Sequence, residues 1–355
     1  MLNARISREL ECRPNNLLLK IIKFYFTQIH ILNMILILSR EIEESLTCRV
    51  IDYLESYNAN YFRINGEDLF NKKVIFEYVL NRETATWELN IKTNDRHINS
   101  KDIKCVWFRR NFFQLSDLND HPVINDFLKS ELNILYSTFE TIISNAFWLN
   151  KPSDRRVNKL FMLQKACENG LQTPKSYITN HKNGFENIKD DIITKPISES
   201  FSIVENGIRK TAFTAQVDES ILNAEKYSDF FFPSFFQQKL EKEYEIRSFY
   251  LCGEIYSIAI FSQNDSRTQL DFRQYNEAKP NRNSKYQLPE EVEESIRNFM
   301  ISININCGSI DLVKTRDSKF FFLELNPVGQ IGVVSRFGHY NLERLIALKL
   351  IENDK

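Results

Sequence analysis

Asp311, Glu324 and Asn326 are the residues whose types and spacing point most directly to chemistry. They sit in two apolar stretches, Gly308-Ser-Ile-Asp-Leu-Val313 and Phe320-Phe-Phe-Leu-Glu-Leu-Asn-Pro327, separated by the polar run 314–319. The pattern predicts two adjacent strands. Side chains alternate along a strand, so Glu324 and Asn326 share a face, and pairing of the strands would bring Asp311 to them. Two carboxylates and a carboxamide, with neither histidine nor thiol, are hard oxygen donors. That set suits Mg²⁺, which keeps waters and substrate phosphates as its other ligands. The competing reading is an edge hairpin whose polar side chains merely face water. Against it, both residues interrupt a strongly apolar run, where a charge is costly unless it is used.

Several cations are placed as conspicuously. Lys195 interrupts the apolar stretch Asp191-Ile-Ile-Thr-Lys-Pro196, where an ammonium needs an anion to offset its burial. Lys159 falls near the start of a helix, Arg247 in Glu245-Ile246-Arg247, and Arg273 in Asp271-Phe272-Arg273. Arg109 and Arg110 end a buried strand, either to meet an anionic peptide side chain or as a solvated strand end. Each alone has an ordinary explanation: a solvated helix residue for Lys159, a weak cross-strand ion pair for Arg247. No GxGxxG follows the first strand, so no dinucleotide fingerprint is present. The five histidines form no evident arrangement for nucleophilic catalysis.

The elements that must position these residues follow from periodicity. Ile35 to Leu38 is a continuous apolar run, as in a parallel strand buried on both faces. A helix over 43–57, a strand over 60–64, a strand pair over 74–80 and 84–91, and a buried strand over 104–109 follow. A long helix over about 123–145 should turn Ile124, Phe127, Leu128, Ile134, Leu135, Phe139 and Ile142 inward. Pro152 marks a boundary. Ser153 or Asp154 would cap a helix over 155–169 with Val157, Leu160, Phe161 and Cys167 inward and Gly170 as its stop. Strands are expected over 176–179, 211–217, 230–236, 245–251 and 255–262, with Gly253-Glu254 turning the last pair. The polar segment 197–210 has the character of a mobile loop. Helices over 290–303 and 342–351 flank the opening strand pair.

Composition narrows the class. The chain has 355 residues, 43% of them hydrophobic, enough for two or three domains. A net charge of −1 provides no basic field for nucleic acid or an anionic membrane. Six scattered cysteines, with no CxxC, point to a reducing cytoplasm. Residues 17–38 are apolar but broken by Lys20, Lys23, Gln28, His30 and Asn33, so no clean membrane span or signal peptide results. Met34 opens the first strand and is the expected natural start, with residues 1–33 an extension or disordered tail. The expected division is then 34–150, 151–236 and 237–355.

The ordered series is informative where its members are not. Asn158-Lys159, Thr194-Lys195-Pro196, Gln237-Gln-Lys-Leu240, Glu245-Ile-Arg247, Asp271-Phe-Arg273, Asp311 and Glu324-Leu-Asn-Pro327 together resemble the ATP-grasp superfamily. The opening Met34-Ile-Leu-Ile-Leu-Ser, Val106-Trp-Phe-Arg-Arg110, Trp148-Leu-Asn-Lys-Pro152 and Leu323-Glu-Leu-Asn-Pro-Val-Gly-Gln330 resemble more narrowly the peptide maturases of graspetide (microviridin-type) biosynthesis, in particular the grasp-with-spasm group. The resemblance implies an α/β chain, α+β in its C-terminal lobes, with a small pre-ATP-grasp domain and two lobes enclosing ATP. It implies that Lys159 and Lys195 contact ATP phosphates. The backbone of Gln238, Lys239 and Leu240 would meet the adenine edge, with Phe236 and Leu240 as walls and Glu245 at the nucleotide. Arg247 and Arg273 would be catalytic, holding the γ-phosphate and the acyl-phosphate formed from it, and Asp311, Glu324 and Asn326 would hold one or two Mg²⁺.

The activity so implied joins Asp or Glu side chains of a ribosomal precursor peptide, with its leader and core, to Ser, Thr or Lys side chains as macrocyclic esters or amides. The alternatives are a RimK-like or glutathione-synthetase-like ligase adding a free amino acid, and a non-catalytic ATP-binding scaffold. Members of the group are often homodimers. One departure stands out: the family's lid is glycine-rich, whereas 198–207 holds one glycine, with Ser198, Ser200 and Ser202 as substitute donors.

Overall fold

The computed structural model describes residues 33–41, 45–109, 121–185, 191–198, 202–205, 208–212, 214–217, 228–263 and 280–354. They divide into two compact units, 1–148 with 347–355, and 149–346.

The first unit opens with β1 (Met34–Ser39), α1 (Ser45–Ser56) and β2 (Tyr61–Asn65). β1 is buried at every position and pairs in parallel with β2. A strand covered on both faces has no reason to alternate, which is why its sequence is uniformly apolar. The short α2 (Gly66–Phe70) leads into the antiparallel β3 (Ile75–Asn81), β4 (Thr86–Lys92) and β5 (His97–Asn99). β6 (Ile103–Phe108) returns to pair with β1, placing Trp107 and Phe108 in the core at 1% and 2% exposure. Arg109, the next residue, is buried rather than solvated. Arg110 lies outside the described residues.

α3 (Pro122–Ile142) departs from expectation. Phe139 is buried, but Ile124, Phe127, Ile134 and Leu135 are exposed. Leu128 and Phe139 of the expected set do turn inward, joined by Asn125, Leu132 and Tyr136, so the buried stripe is rotated from the expected one. Both faces carry apolar residues, so periodicity alone could not select between them. β7 (Phe147–Leu149) ends this region at the edge of the sheet ordered β2-β1-β6-β7.

The second unit begins with a 3₁₀ turn (Pro152–Arg156) and α4 (Lys159–Glu168). The helix starts later than expected because Asn158, not Ser153 or Asp154, caps it. Its Oδ1 accepts from the Leu160 and Phe161 amides at 3.0 and 3.2 Å. Met162, Leu163 and Ala166 turn inward, while Phe161 and Cys167 are exposed. Gly170, at φ +87°, ends the helix as expected.

Two antiparallel sheets follow. One has the order β12-β9-β13-β8, from β8 (Ser176–His181), β9 (Ile192–Thr194), β12 (Ala215–Val217) and β13 (Phe230–Gln238). Between β9 and β12 lies the hairpin β10 (Ser202–Glu205) and β11 (Ile208–Thr211), within the segment read from sequence as a loop. The other sheet, β16-β15-β14-β17-β18, is built from β14 (Lys242–Leu251), β15 (Glu254–Phe261), β16 (Arg282–Tyr286), β17 (Cys307–Thr315) and β18 (Phe320–Asn326). α5 (Glu290–Ser302), α6 (Gly332–Gly338) and α7 (Leu342–Glu352) complete the chain. Ile296, Phe299 and Met300 of α5 meet Ile310, Leu312 and Phe322 of the sheet and Met162, Leu163 and Ala166 of α4 in one core. The Phe299 and Phe322 rings stand edge to face at 5.2 Å.

Candidate functional site

The β14-β17-β18 register builds the site. Arg247 lies opposite Asp311, and Asp311 opposite Glu324. Arg247 Nε and Nη2 each donate to one oxygen of Asp311 at 2.8 Å, a two-point fork matching the planar carboxylate. Their side chains are 15% and 16% exposed, so water reaches the pair only partly.

Glu324 owes its direction to a bulge. Asp311 faces Glu324, but the next residue, Leu312, faces Phe322, leaving Leu323 as an extra residue on β18. Without it, Glu324 and Phe322 would point the same way, and Phe322 is in the core. The inserted residue lets Phe322 and Leu325 stay buried while Leu323 and Glu324 both border a cavity. Glu324 Oε2 stands 3.4 Å from Lys159 Nζ, which also donates to the Ser198 carbonyl at 2.9 Å. Lys159 is the first residue of α4, so the Asn158 cap fixes where its side chain begins. Arg247, Asp311, Glu324 and Lys159 thus form a row across the strands, two neighbouring carboxylates flanked by a cation on either side.

Asn326 lies opposite Ser309 on the exposed rim, and the turn after it is tightly held. Asn150 Nδ2 donates to the Pro327 carbonyl at 2.6 Å, with Asn150 itself buried at φ +63°. A Cβ on Gly329 would fall 2.6 Å from Ser309 Oγ and 3.0 Å from the Asn326 carbonyl. The backbone can approach β17 only because that residue is glycine. Neither Asn150 nor Ser309 stands out in the sequence; the signal was Asn150 beside Pro152 at the boundary.

The cavity runs from this row to the end of β13. Lys195, Gln238, Lys239, Leu240, Glu245, Asp311 and Glu324 all border it. So do Gln237, Lys242, Thr214 and Ile193, to which the sequence pattern assigns no role. Lys195 follows β9 and sits with Nζ 5.8 Å from the Phe235 ring centroid. Glu245 is 6% exposed and ion-paired to Lys242. At the β13 end, the Gln238 amide donates to Lys175 at 2.9 Å and the Lys239 amide to Asp191 at 2.7 Å. Among the described residues, the Leu240 amide makes no such backbone bond. Phe236 points to the other side, edge-on to Phe185 at 4.7 Å. Asp271, Phe272 and Arg273 lie outside the described residues, as do 199–201 and 206–207 of the glycine-poor segment.

Donor chemistry, not spacing of soft ligands, defines what could bind. Among the described residues no group of three His, Cys, Asp or Glu side chains could hold a metal. Asp311 and Glu324 supply two hard oxygens on facing strands, with Asn326 two residues on. That incomplete set fits a cation whose other ligands come from phosphate and water.

Residues 34–156 match the MvdD pre-ATP grasp domain. No functionally curated protein matches the sequence. The fold is similar to a RiPP-associated ATP-grasp ligase of Chryseobacterium gregarium in complex with ADP and a leader and core peptide. The TM-score is 0.78 and the identity 22%, over 90% of this chain and 97% of that one. It is similar as well to the macrocyclase MdnC of Microcystis aeruginosa MRC, bound with precursor peptide MdnA: TM-score 0.74, 22% identity, covering 90% and 99%. The ATP-grasp ligase PsnB, complexed with minimal precursor, gives TM-score 0.67 at 16% identity, covering 91% and 99%. The chain therefore has the ATP-grasp fold, with an N-terminal pre-ATP-grasp domain.

Proposed function

We propose that this chain is an ADP-forming carboxylate ligase that matures a ribosomally made precursor peptide. The observation that carries the reading is the row Arg247-Asp311-Glu324-Lys159 at one end of a cavity bordered at the other by Gln238, Lys239 and Leu240. Similarity to ligases whose structures hold ADP or precursor peptides supports it. In this reading 34–150 is the pre-ATP-grasp domain, and 151–236 and 237–355 are the lobes around ATP.

The adenine lies at the β13 end, and the phosphates extend toward Lys195 and Lys159. Asp311 and Glu324, with Asn326, would hold one or two Mg²⁺, which neutralise charge on the transferring phosphoryl group when bound. Arg247 keeps Asp311 in one orientation and presents its remaining charge to phosphate oxygens. Arg273 is assigned the acyl-phosphate. An Asp or Glu side chain of the peptide attacks the γ-phosphate and releases ADP. A Ser or Thr hydroxyl, or a Lys amine, of the same peptide then displaces phosphate to close an ester or amide ring. Positioning and charge stabilisation suffice for phosphoryl transfer, which explains a site with no covalent nucleophile.

Among the described residues no helix is long and apolar enough to cross a membrane. We assign the enzyme to the cytoplasm, with neither nucleic acid nor membrane as partner. We assign it a homodimeric state.

The test is incubation with ATP, Mg²⁺ and a candidate precursor rich in Thr, Ser and acidic residues. Loss of one water per bond from the peptide, with matching ADP release, is expected. A gain in mass with free amino acids would instead identify a ligase of the RimK or glutathione-synthetase type. Absence of peptide-dependent ADP release would refute catalysis.

A further inference from the structure

Arg109, buried at the end of β6, is used by none of these roles. It belongs to a cluster of guanidinium groups in the first unit. β1, β2 and β6 run parallel and stop together. Ser39 of β1 lies opposite Asn65 of β2, and the Arg109 amide extends the other ladder by donating to the Leu38 carbonyl at 2.9 Å. Side chains alternate along each strand, so Arg63, Asn65, Ser39 and Arg109 share one face. Arg63 is committed to neutral acceptors. Its Nε donates to Asn65 Oδ1 at 2.9 Å and its Nη1 to Cys48 Sγ at 3.6 Å. Its Nη2 donates to Ser39 Oγ at 3.2 Å and to the Arg40 carbonyl at 2.7 Å. Arg40, the residue after β1, has its Nε sealed from solvent with no hydrogen-bond partner. Among the described residues no carboxylate pairs with Arg40 or Arg63. The nearby acids are engaged elsewhere. Lys73 Nζ stands 3.5 Å from Glu41 Oε1 and 3.6 Å from Asp68 Oδ1, and Glu67 Oε2 accepts the Glu41 amide at 3.2 Å.

A buried donor on a charged group is costly when unmet, and an anion is what would meet it. The topology puts this excess charge where a ligand can use it. From β1 the chain crosses to β2 on one side, and β6 pairs on the other, so the strand order reverses at β1. In open parallel sheets, ligands bind beyond the carboxyl ends of the strands at such a reversal. Arg40 and Arg109 are the first residues past β1 and β6 there. The residues also select among anions. Phosphate cradles of the usual kind are built from glycine-rich backbone, and Ser39-Arg40-Glu41 and Phe108-Arg109 contain no glycine. Glu41 and Glu67 at the same end penalise a dianion more than a single charge. Guanidinium groups fork onto planar carboxylates. We propose that the carboxyl ends of β1 and β6 form a site for a carboxylate side chain of an acidic peptide. Arg40 is its contact residue. Arg63 is the positioning residue that holds the Ser39-Arg40 backbone, and Arg109 adds its charge from the neighbouring strand. The site lies wholly within the first unit and goes beyond the ligase chemistry. It rests on the reading above only in taking that peptide to be the precursor.

The experiment is calorimetry on the full chain without nucleotide. The probes are a capped hexapeptide alternating glutamate and glycine, the same peptide with glutamine, and inorganic phosphate. Wild type is expected to bind the glutamate peptide with a Kd of about 0.1–1 mM and the glutamine peptide about tenfold more weakly or worse. Arg40→Met should weaken the glutamate peptide by about tenfold or more. It should leave the thermal midpoint without peptide unchanged or higher, because it removes an unmet buried donor. A lowered midpoint marks a structural arginine and overturns the assignment. Arg40→Lys keeps the charge without the fork and should recover only part of the affinity. Lys195→Met, in the second unit, should bind the glutamate peptide as wild type does. Unchanged affinity in Arg40→Met overturns the proposal, and so does loss of binding in Lys195→Met, which would put the peptide at the other cavity. Tighter binding of phosphate than of the glutamate peptide overturns the choice of carboxylate. Because no titration contains nucleotide, absence of ADP release would refute the ligase reading and leave this result standing, and the converse holds too.

Discussion

The fork between Arg247 and Asp311 can be tested as a unit. Replacing Arg247 by Met keeps most of its bulk against the sheet but leaves the Asp311 carboxylate facing Glu324 with no cation on its own side. A fully buried pair broken in this way costs about 3–5 kcal/mol, whereas an exposed one costs about 0–1. At 15% and 16% exposure this pair lies nearer the buried limit. The two 2.8 Å bonds are charge-assisted, each contributing on the order of 1.5 kcal/mol. The expected loss in Arg247→Met is therefore about 2–3 kcal/mol. Asp311→Asn removes the charge while keeping the shape. In the Arg247→Met background it should recover much of the loss, giving a coupling energy of about 2 kcal/mol in the double-mutant cycle. Urea unfolding without nucleotide, followed by tryptophan fluorescence and far-UV circular dichroism, measures all four corners. Additivity within about 0.5 kcal/mol would refute the reasoning. It would mean that the fork has no net energy and that Asp311 is held by its strand alone.

Three further outcomes are expected. Glu324→Gln should abolish Mn²⁺ binding, read by electron paramagnetic resonance, together with turnover, while the thermal midpoint stays close to wild type; normal metal affinity would count against Glu324 as a ligand. Phe322→Ala removes a fully buried ring packed on Phe299 and should cost about 3–5 kcal/mol in denaturant unfolding, so a loss below about 1 would contradict the core assignment. Burial raises the Asp354 carboxyl to about 7 from 3.8, with Lys104 opposing the shift. Its protonated form is favoured on folding, so its contribution is present below about pH 4 and lost as pH rises toward 7; thermal scans should show that decline, and Asp354→Asn should flatten it.

What the sequence revealed depended on how local the signal was. β1 and β6 were readable because a strand buried on both faces is apolar throughout. The β14–β15 hairpin was readable because Cys252-Gly253 at φ +49° and +97° makes the tight turn its glycine announces. Period-two alternation put the candidates Glu324 and Asn326 on one face, but that same rule mispairs Glu324 with Phe322. The bulge at Leu323 corrects the phase, and an inserted residue leaves no mark in a pattern read one strand at a time. α3 failed for the opposite reason: it has two apolar faces, and only the tertiary fold selects one. Asn150 and Gln237 stand in motifs the sequence shows, but their partners, Pro327 and Ser176, could not be read because they lie 177 and 61 residues away. The Asn158 cap was local, but Ser153 and Asp154 offered the same chemistry a few residues earlier.

Lys159 is ion-paired with Glu324 and donates to the Ser198 carbonyl. It therefore behaves as an internal counter-ion, a tethered cation occupying the place a diffusible one would take. A free divalent cation must displace it and leave an ammonium near the newly bound charge. A triphosphate changes that balance by offering the ammonium an anion of its own. Metal and nucleotide affinities should consequently be linked, each strengthening the other by the same factor. Mn²⁺ titrations with and without a non-hydrolysable ATP analogue would measure that factor, and Lys159→Met should bring it toward unity by improving the affinity for metal alone. Equal metal affinity in both titrations of the wild type would show that the tether does not compete. On the proposed reading, selectivity against unaccompanied metal would reside in an ion pair between a helix start and a strand, and not in the shape of the cavity.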